Sequence, residues 1–289
     1  MDNERVPQDL EQLDRAIGQL EDALRRLHDR DSGFAAQEAP NPILAFPRPC
    51  PAQARERFGN AVLLDYLYGI DGHAAHLAAC AGDAELQRYA REAPAARALR
   101  LRRQLLAREI DQACARHAGQ ARILCVGAGH LRELDLARNV RPGRLQQLIA
   151  VDGNPQHLQV IERCYAWMGV KARPGGLPQL LGGLTELVGF DLIYAADALE
   201  QLDDASAAQL LRNLFGRLAV GGRLLLCNFQ PGVSGIAYLE GLLDWHPRYR
   251  SDAALLDLLR GIPARALGSA GVRHDLGACV GFLEVQRLA

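Results

Sequence analysis

Apolar residues near the start of the chain recur at alternating steps of four and three: Val6, Leu10, Leu13, Ile17, Leu20, Leu24 and Leu27. That spacing is a narrow helical seam with charged residues between, and Pro7 suits a first helical turn. Such a stripe must be covered, either by its own domain or by a second copy of itself, so a homodimer through this helix is one expectation. Pro40, Pro42, Pro47, Pro49 and Pro51 then break any period and predict an irregular connector. Helical spacing returns from Ala52 to Tyr68, around Asp83–Glu92, and behind Pro94 from Ala95 to His117, where Leu99, Leu106, Ile110 and Ala113 share a core face.

The texture then changes. Short apolar runs at Ile123–Val126, Leu148–Val151, Phe190–Tyr194 and Leu224–Phe229 alternate with helical patterns such as Asn154–Trp167 and Ala205–Leu218. This alternation predicts a parallel sheet with helices on both faces. Nothing before it reads as strand. The expected organisation is a helical lid or dimerisation region over residues 1–118 and an α/β domain over residues 119–289.

Composition narrows the partners. With 33 basic and 34 acidic side chains the formal net charge is −1, which gives no phosphate-tracking surface, so nucleic acid is not expected. The apolar share of 49% against 23% charged is that of a globular chain. Seven cysteines lie singly with no C-x-x-C pair, arguing against a disulfide framework or a zinc site. His73 and His76 have no nearby third ligand, so no metal is expected. No apolar run approaches the ~20 residues of a membrane span, and the polar start Met1–Pro7 is unlike a signal peptide, so the expected location is the cytoplasm.

Candidate chemistry begins where the first predicted strand meets Gly127-Ala128-Gly129. Two glycines let the backbone turn sharply and approach a ligand with no Cβ in the way. The next strand ends in Asp152, an acid placed to accept hydrogen bonds from both hydroxyls of a ribose. A dinucleotide site wants a small residue at the third position of G-x-G-x-x-G, and here it is Arg132. No phosphate-binding loop with G-K-[ST] occurs. What remains is a nucleoside cofactor without phosphate.

From Pro94 to Ala289 the chain resembles the class I S-adenosylmethionine-dependent methyltransferases. Cys125-Val-Gly127-Ala-Gly129 is similar to the glycine motif that cups the methionine part, and Asp152 to the ribose-binding acid. Phe190–Tyr194 is similar to the fourth strand, and Leu218-Ala-Val-Gly221-Gly222 to the entry into the fifth. Pro263–Ser269 and Cys279–Leu288 fit the closing antiparallel pair. Pro94–Arg100, Gly129–Glu133, Asn228-Phe229 and Asp244–Arg250 add a narrower likeness to the bacterial enzymes of 3-hydroxypalmitic acid methyl ester biosynthesis. The resemblance implies a Rossmann-like, mostly parallel seven-stranded sheet with a C-terminal antiparallel hairpin, preceded by an all-helical region. It implies S-adenosylmethionine as cofactor, held by Gly127, Ala128, Gly129, His130, Glu133, Asp152, Gly153 and Tyr194. This chain departs from the family at Cys125, where an acid is common, at Leu131, where the usual loop has glycine, and at Ala196–Gln201, where the narrower relatives are rich in aromatics.

Tyr194, His246 and Arg250 are the candidate catalytic residues; the arginines of Asp244–Arg250 suggest a carboxylate-bearing substrate. Asn228 and Phe229 stand at the tip of the fifth predicted strand, as contacts or as turn residues. Asp197 reads as a helix cap, and Arg97, Arg100 and Arg103 as a solvated helix face. The expected function is methyl transfer to a small molecule, with oxygen of a carboxylate or hydroxyl as acceptor. A second reading has a nucleophile attack the methionine-chain carbon beside sulfur and release methylthioadenosine, by aminocarboxypropyl transfer or by cyclisation to azetidine-2-carboxylate. A third is a non-catalytic protein that retains the fold.

Overall fold

A computed structural model of the chain describes Arg15, Gln19 and residues 60–70, 92–182, 186–233, 240 and 245–288. The seam from Val6 to Leu27, apart from Arg15 and Gln19, the proline-rich connector, the Asp83–Glu92 pattern short of Glu92, and His73 and His76 lie outside the described residues. The chain divides into two compact units, one of residues 1–100 with 231–247, the other of residues 101–230 with 248–289.

In the first unit, helix α1 (Asn60–Tyr68) buries Ala61, Val62, Leu63, Asp65, Tyr66 and Leu67. The Arg100 guanidinium donates to the Leu67 carbonyl at 2.8 Å, and Arg97 donates to that of Glu92 at 2.8 Å. Helix α2 (Pro94–Arg116) starts on its proline, as expected, and its residues from Leu101 onward belong to the second unit.

The second unit is built on strands β1 (Arg122–Val126), β2 (Gln147–Asp152), β3 (Val170–Pro174), β4 (Phe190–Ala195), β5 (Leu218–Phe229), β6 (Leu267–His274) and β7 (Val280–Arg287). Its helices are α3 (Pro155–Tyr165), α4 (Leu177–Gly182), α5 (Asp204–Phe215) and α6 (Asp252–Asp257). The seven strands lie in the order β3-β2-β1-β4-β5-β7-β6. The first five run parallel, and β7 pairs antiparallel with both β5 and β6. The order reverses between β1 and β4, which is where an open α/β sheet leaves a crevice beyond its carboxyl ends.

Strands β1, β2 and β4 and the second half of β5 are near-continuous apolar runs because both faces are covered. Ile123, Leu124, Leu148, Ala150, Ile193 and Leu224 are fully buried. On one face, Leu124, Val126, Ile149, Val151 and Ile193 pack with Ala207, Leu210, Leu211 and Leu214 of α5. Three of the helices begin on built caps, α6 on Ser251. Asn154 accepts from the Gln156 N–H ahead of Pro155, and Asp203 accepts from the Ser206 N–H, which satisfies amides that the first turn leaves open. Glu109, on α2, is buried and receives Arg223 of β5 at 2.9 Å and Arg273 of β6 at 2.6 Å.

Two boundaries differ from the sequence expectation. Leu218 opens β5 instead of closing a helix, because the Gly221-Gly222 pair lets an extended chain bend through a register shift opposite Phe190–Leu192. The hairpin strand β6 begins at Leu267, after a short 3₁₀ turn at Ala264–Ala266. Among the described residues no helix is long and apolar enough to cross a membrane.

Candidate functional site

The predicted glycine turn forms at the carboxyl end of β1. Gly127 has φ +65° and Gly129 φ +53°, both in the left-handed region open to glycine at little cost. Leu131 also adopts it, at φ 56°, so the chain keeps the loop's shape at the position where the family resemblance leads one to expect glycine. For a non-glycine residue that conformation costs about 1–2 kcal/mol; Leu131 is buried, and its packing offsets the strain.

Asp152, at the tip of β2, is bound to this turn. One carboxylate oxygen, Oδ2, accepts the Gly129 N–H at 2.8 Å; the other, Oδ1, accepts the Asn154 N–H at 2.8 Å and faces His157 Nδ1 at 3.0 Å. Burial would raise its pKa, but the His157 bond and the two backbone N–H groups outweigh it and hold the carboxyl below its usual range. The His130 ring meets His157 edge-on, with centroids 5.2 Å apart. A Cβ on Gly153 would lie 3.1 Å from Gly176 Cα, so the loops after β2 and β3 nearly touch there.

Beneath the turn, Tyr194 stands opposite Cys125 in the β1–β4 register. Its hydroxyl donates to Glu133 Oε1 at 2.6 Å, and the Cys125 Sγ is 4.0 Å from the same oxygen. Glu133 arrives from a 3₁₀ turn at Arg132–Asp135. Thus the acid absent from position 125 in sequence is present beside it in space. Burial raises the pKa of Glu133 against the opposing Tyr194 hydrogen bond, and burial with the neighbouring Cys125 and Glu133 raises that of Tyr194. A tyrosine so placed is a poor base; it positions Glu133.

Arg103 anchors this 3₁₀ turn, donating to the Arg132 carbonyl at 2.8 Å and to Asp135 at 2.9 Å. Of the expected solvated row, Arg97 is exposed, whereas Arg100 and Arg103 are half-buried and spent on the Leu67 and Arg132 carbonyls.

Of the candidate catalytic residues, Tyr194 and Arg250 lie in the second unit and His246 in the first. Arg250 is buried, and its guanidinium donates to Asp204 at 2.9 Å, the Leu199 carbonyl at 2.7 Å, Asn228 Oδ1 at 2.9 Å and the Leu202 carbonyl. It is a pin for the loop after β4, whereas Arg248 of the same stretch is exposed. Asn228 completes the pin, donating to the Phe229 and Arg248 carbonyls at 2.8 Å each. His246 belongs to the first unit, where its Nδ1 is 3.9 Å from buried Glu240.

Asp197 is not a helix cap. The 3₁₀ turn that follows, Leu199–Gln201, takes Ala198 at its cap position with no side-chain bond, and Asp203 caps α5. Instead Asp197 lies at the tip of β4 against the glycine turn, its Oδ1 3.4 Å from where a Cβ on Gly127 would stand. One turn further, Glu200 is buried 3.6 Å from the Arg102 Nη1, which also donates to the Ala196 carbonyl at 2.9 Å. Sequence reasoning missed Glu200, Arg102 and His157. The acid spacing Asp197-x-x-Glu200 was a usable signal, whereas Arg102 comes from a helix 94 residues away from Ala196.

No family model and no curated protein matches the chain. Among solved structures, a Bordetella parapertussis chain named a possible exported protein matches with TM-score 0.59 at 16% identity, over 99% of this chain and 100% of that one. The CurJ carbon methyltransferase matches with TM-score 0.55 at 14% identity, over 83% and 70% of the two chains. The fold is that of the class I methyltransferases. The CMeT domain of the citrinin polyketide synthase shares it with TM-score 0.53 at 14% identity, over 83% and 64%.

Proposed function

We propose that this chain is an S-adenosylmethionine-dependent methyltransferase acting on a small molecule. The observation that carries the reading is the bond from Asp152 to the Gly129 N–H, which joins the ribose-type acid and the glycine turn into one preformed unit at the reversal of strand order. The residues suit an adenosine ligand in two respects. Gly127 and Gly129 turn bare backbone through the left-handed region where a ligand would approach, and Asp152, though mostly buried, stays ionised to accept further hydrogen bonds. Asp152 would hold the ribose, Gly127, Ala128 and Gly129 would pass beneath the methionine part, and His130 and Gly153 would border it. Glu133 and Tyr194 support the turn from below.

When bound, S-adenosylmethionine supplies a methyl already activated by its sulfonium, so the chain's task is alignment and exclusion of water. Asp152 would hold the ribose, its carboxylate kept in one orientation by three protein groups. Arg250 and Asn228 keep the loop after β4 in one position, so an acceptor entering over it meets a fixed wall. Incubating the purified protein with methyl-labelled S-adenosylmethionine and a cell extract tests the reading. Label passing to a small-molecule product with S-adenosylhomocysteine released agrees with it. Label remaining in methylthioadenosine would establish the alternative chemistry instead.

A further inference from the structure

The described chain between the 3₁₀ turn at Arg132–Asp135 and β2 makes no α-helix, and residues 136–151 hold Arg138, Arg141 and Arg144 but no acid. This loop is fastened to α2. The Asp111 carboxylate accepts the Arg138 N–H at 2.8 Å and the Asn139 N–H at 2.7 Å, and the Asn139 side-chain amide donates to the Asp111 carbonyl at 3.2 Å. Further along, a Cβ on Gly119 would stand 3.1 Å from the Gly143 carbonyl oxygen and 3.3 Å from Arg144 Cα. The Gln146 N–H then donates to the Ala121 carbonyl at 3.1 Å. The loop therefore runs beside α2 from Asp111 to just past the helix end, about 12 Å at a helix's rise.

Arg108, one turn before Asp111, and Arg116 border the same stretch, and all five arginines are exposed. Among the described residues, Arg116 meets the neutral Gln112 at 2.9 Å, and the guanidiniums of Arg108, Arg138, Arg141 and Arg144 have no hydrogen bond or ion pair. The nearby acids are already taken. Glu109 is buried on Arg223 and Arg273, Asp111 holds the loop amides, and Asp135 pairs with Arg103. A chain of net charge −1 thus carries a local positive face that its overall balance conceals.

We propose that this face docks an acidic protein partner, one presenting clustered aspartate and glutamate side chains. The face is independent of the cofactor reading: it runs toward the amino ends of β1 and β2, whereas the glycine turn lies at the carboxyl end of β1. Arginine's planar fork takes a carboxylate with two parallel hydrogen bonds. Because α2 already holds the loop backbone, a partner has only side chains to order, which lowers the cost of association. Nucleic acid is the poorer occupant, since single strands bind by stacking bases on aromatic rings; residues 108–119 and 136–147 contain no Phe, Tyr or Trp.

Fluorescence anisotropy with the full chain tests this, using a labelled poly-L-glutamate peptide and poly-uridine RNA of equal length. The peptide is expected to bind, more weakly as added salt screens the pairing. Joint reversal of Arg141→Glu and Arg144→Glu should weaken it about tenfold. Arg108→Glu, on α2 and outside the loop, should act in the same direction, so the outcome does not hang on the folding of one variant. Arg265→Glu, at an exposed arginine before β6, should leave the affinity unchanged. Failure of the peptide to bind, an equal loss in Arg265→Glu, or no loss in either reversal overturns the proposal. Tighter binding of RNA, lost in the same reversals, also overturns it by assigning the face to nucleic acid.

Discussion

Asp152 spends its carboxylate on the Gly129 and Asn154 amides and on His157, so its worth to the fold and to a ligand are coupled. Asp152→Asn presents an amide to N–H donors and is expected to cost about 2 kcal/mol of stability, read by chemical denaturation. Because its folded pKa is depressed, the stability it contributes is present above the unfolded value, ~3.9, and lost as pH falls through the lower folded value. Glu200 has the opposite sign. Its folded pKa is raised to about 8, so stability declines as pH climbs from the unfolded value, ~4.3, to that point. Glu200→Gln should flatten this decline when unfolding is compared at pH values either side of the window; an unchanged slope would show that Glu200 ionises normally.

At the level of elements, the pin made by Arg250 and Asn228 ties the loop after β4 to the tip of β5. Replacing a buried arginine with methionine leaves the Leu199 and Leu202 carbonyls without their donor. Arg250→Met should therefore lower stability by about 3 kcal/mol in a denaturant titration; a change within error would mean that the guanidinium is dispensable. Strands β1, β2, β4 and β5 were legible because their apolar runs are buried on both faces, whereas β3 and β6 carry polar, half-exposed sequences that give no such signal. The glycine turn and Asp152 were legible because backbone geometry demands those residue types. Arg250 misled because a sequence shows a charge without showing whether backbone carbonyls have already consumed it. The Cys125–Glu133 exchange was only half visible, since the acid returns through space from a turn that the left-handed Leu131 makes possible.

Across the whole sheet, the groups with chemical potential converge beyond the carboxyl ends of β1, β2 and β4, while the Glu109, Arg223, Arg273 and Glu284 network braces α2, β5, β6 and β7 elsewhere. Saturating S-adenosylhomocysteine should slow amide hydrogen exchange at residues 127–133, 152–157 and 196–202 and leave β6 unaffected. Uniform slowing would point to global stabilisation without a local site. The most direct measurement is a crystal structure of the chain with S-adenosylhomocysteine. The ribose hydroxyls are predicted within hydrogen-bonding distance of Asp152, with the rest of the ligand against the Gly127–Gly129 turn. A ligand bound elsewhere, or Asp152 turned from the sugar, would contradict the function proposed here.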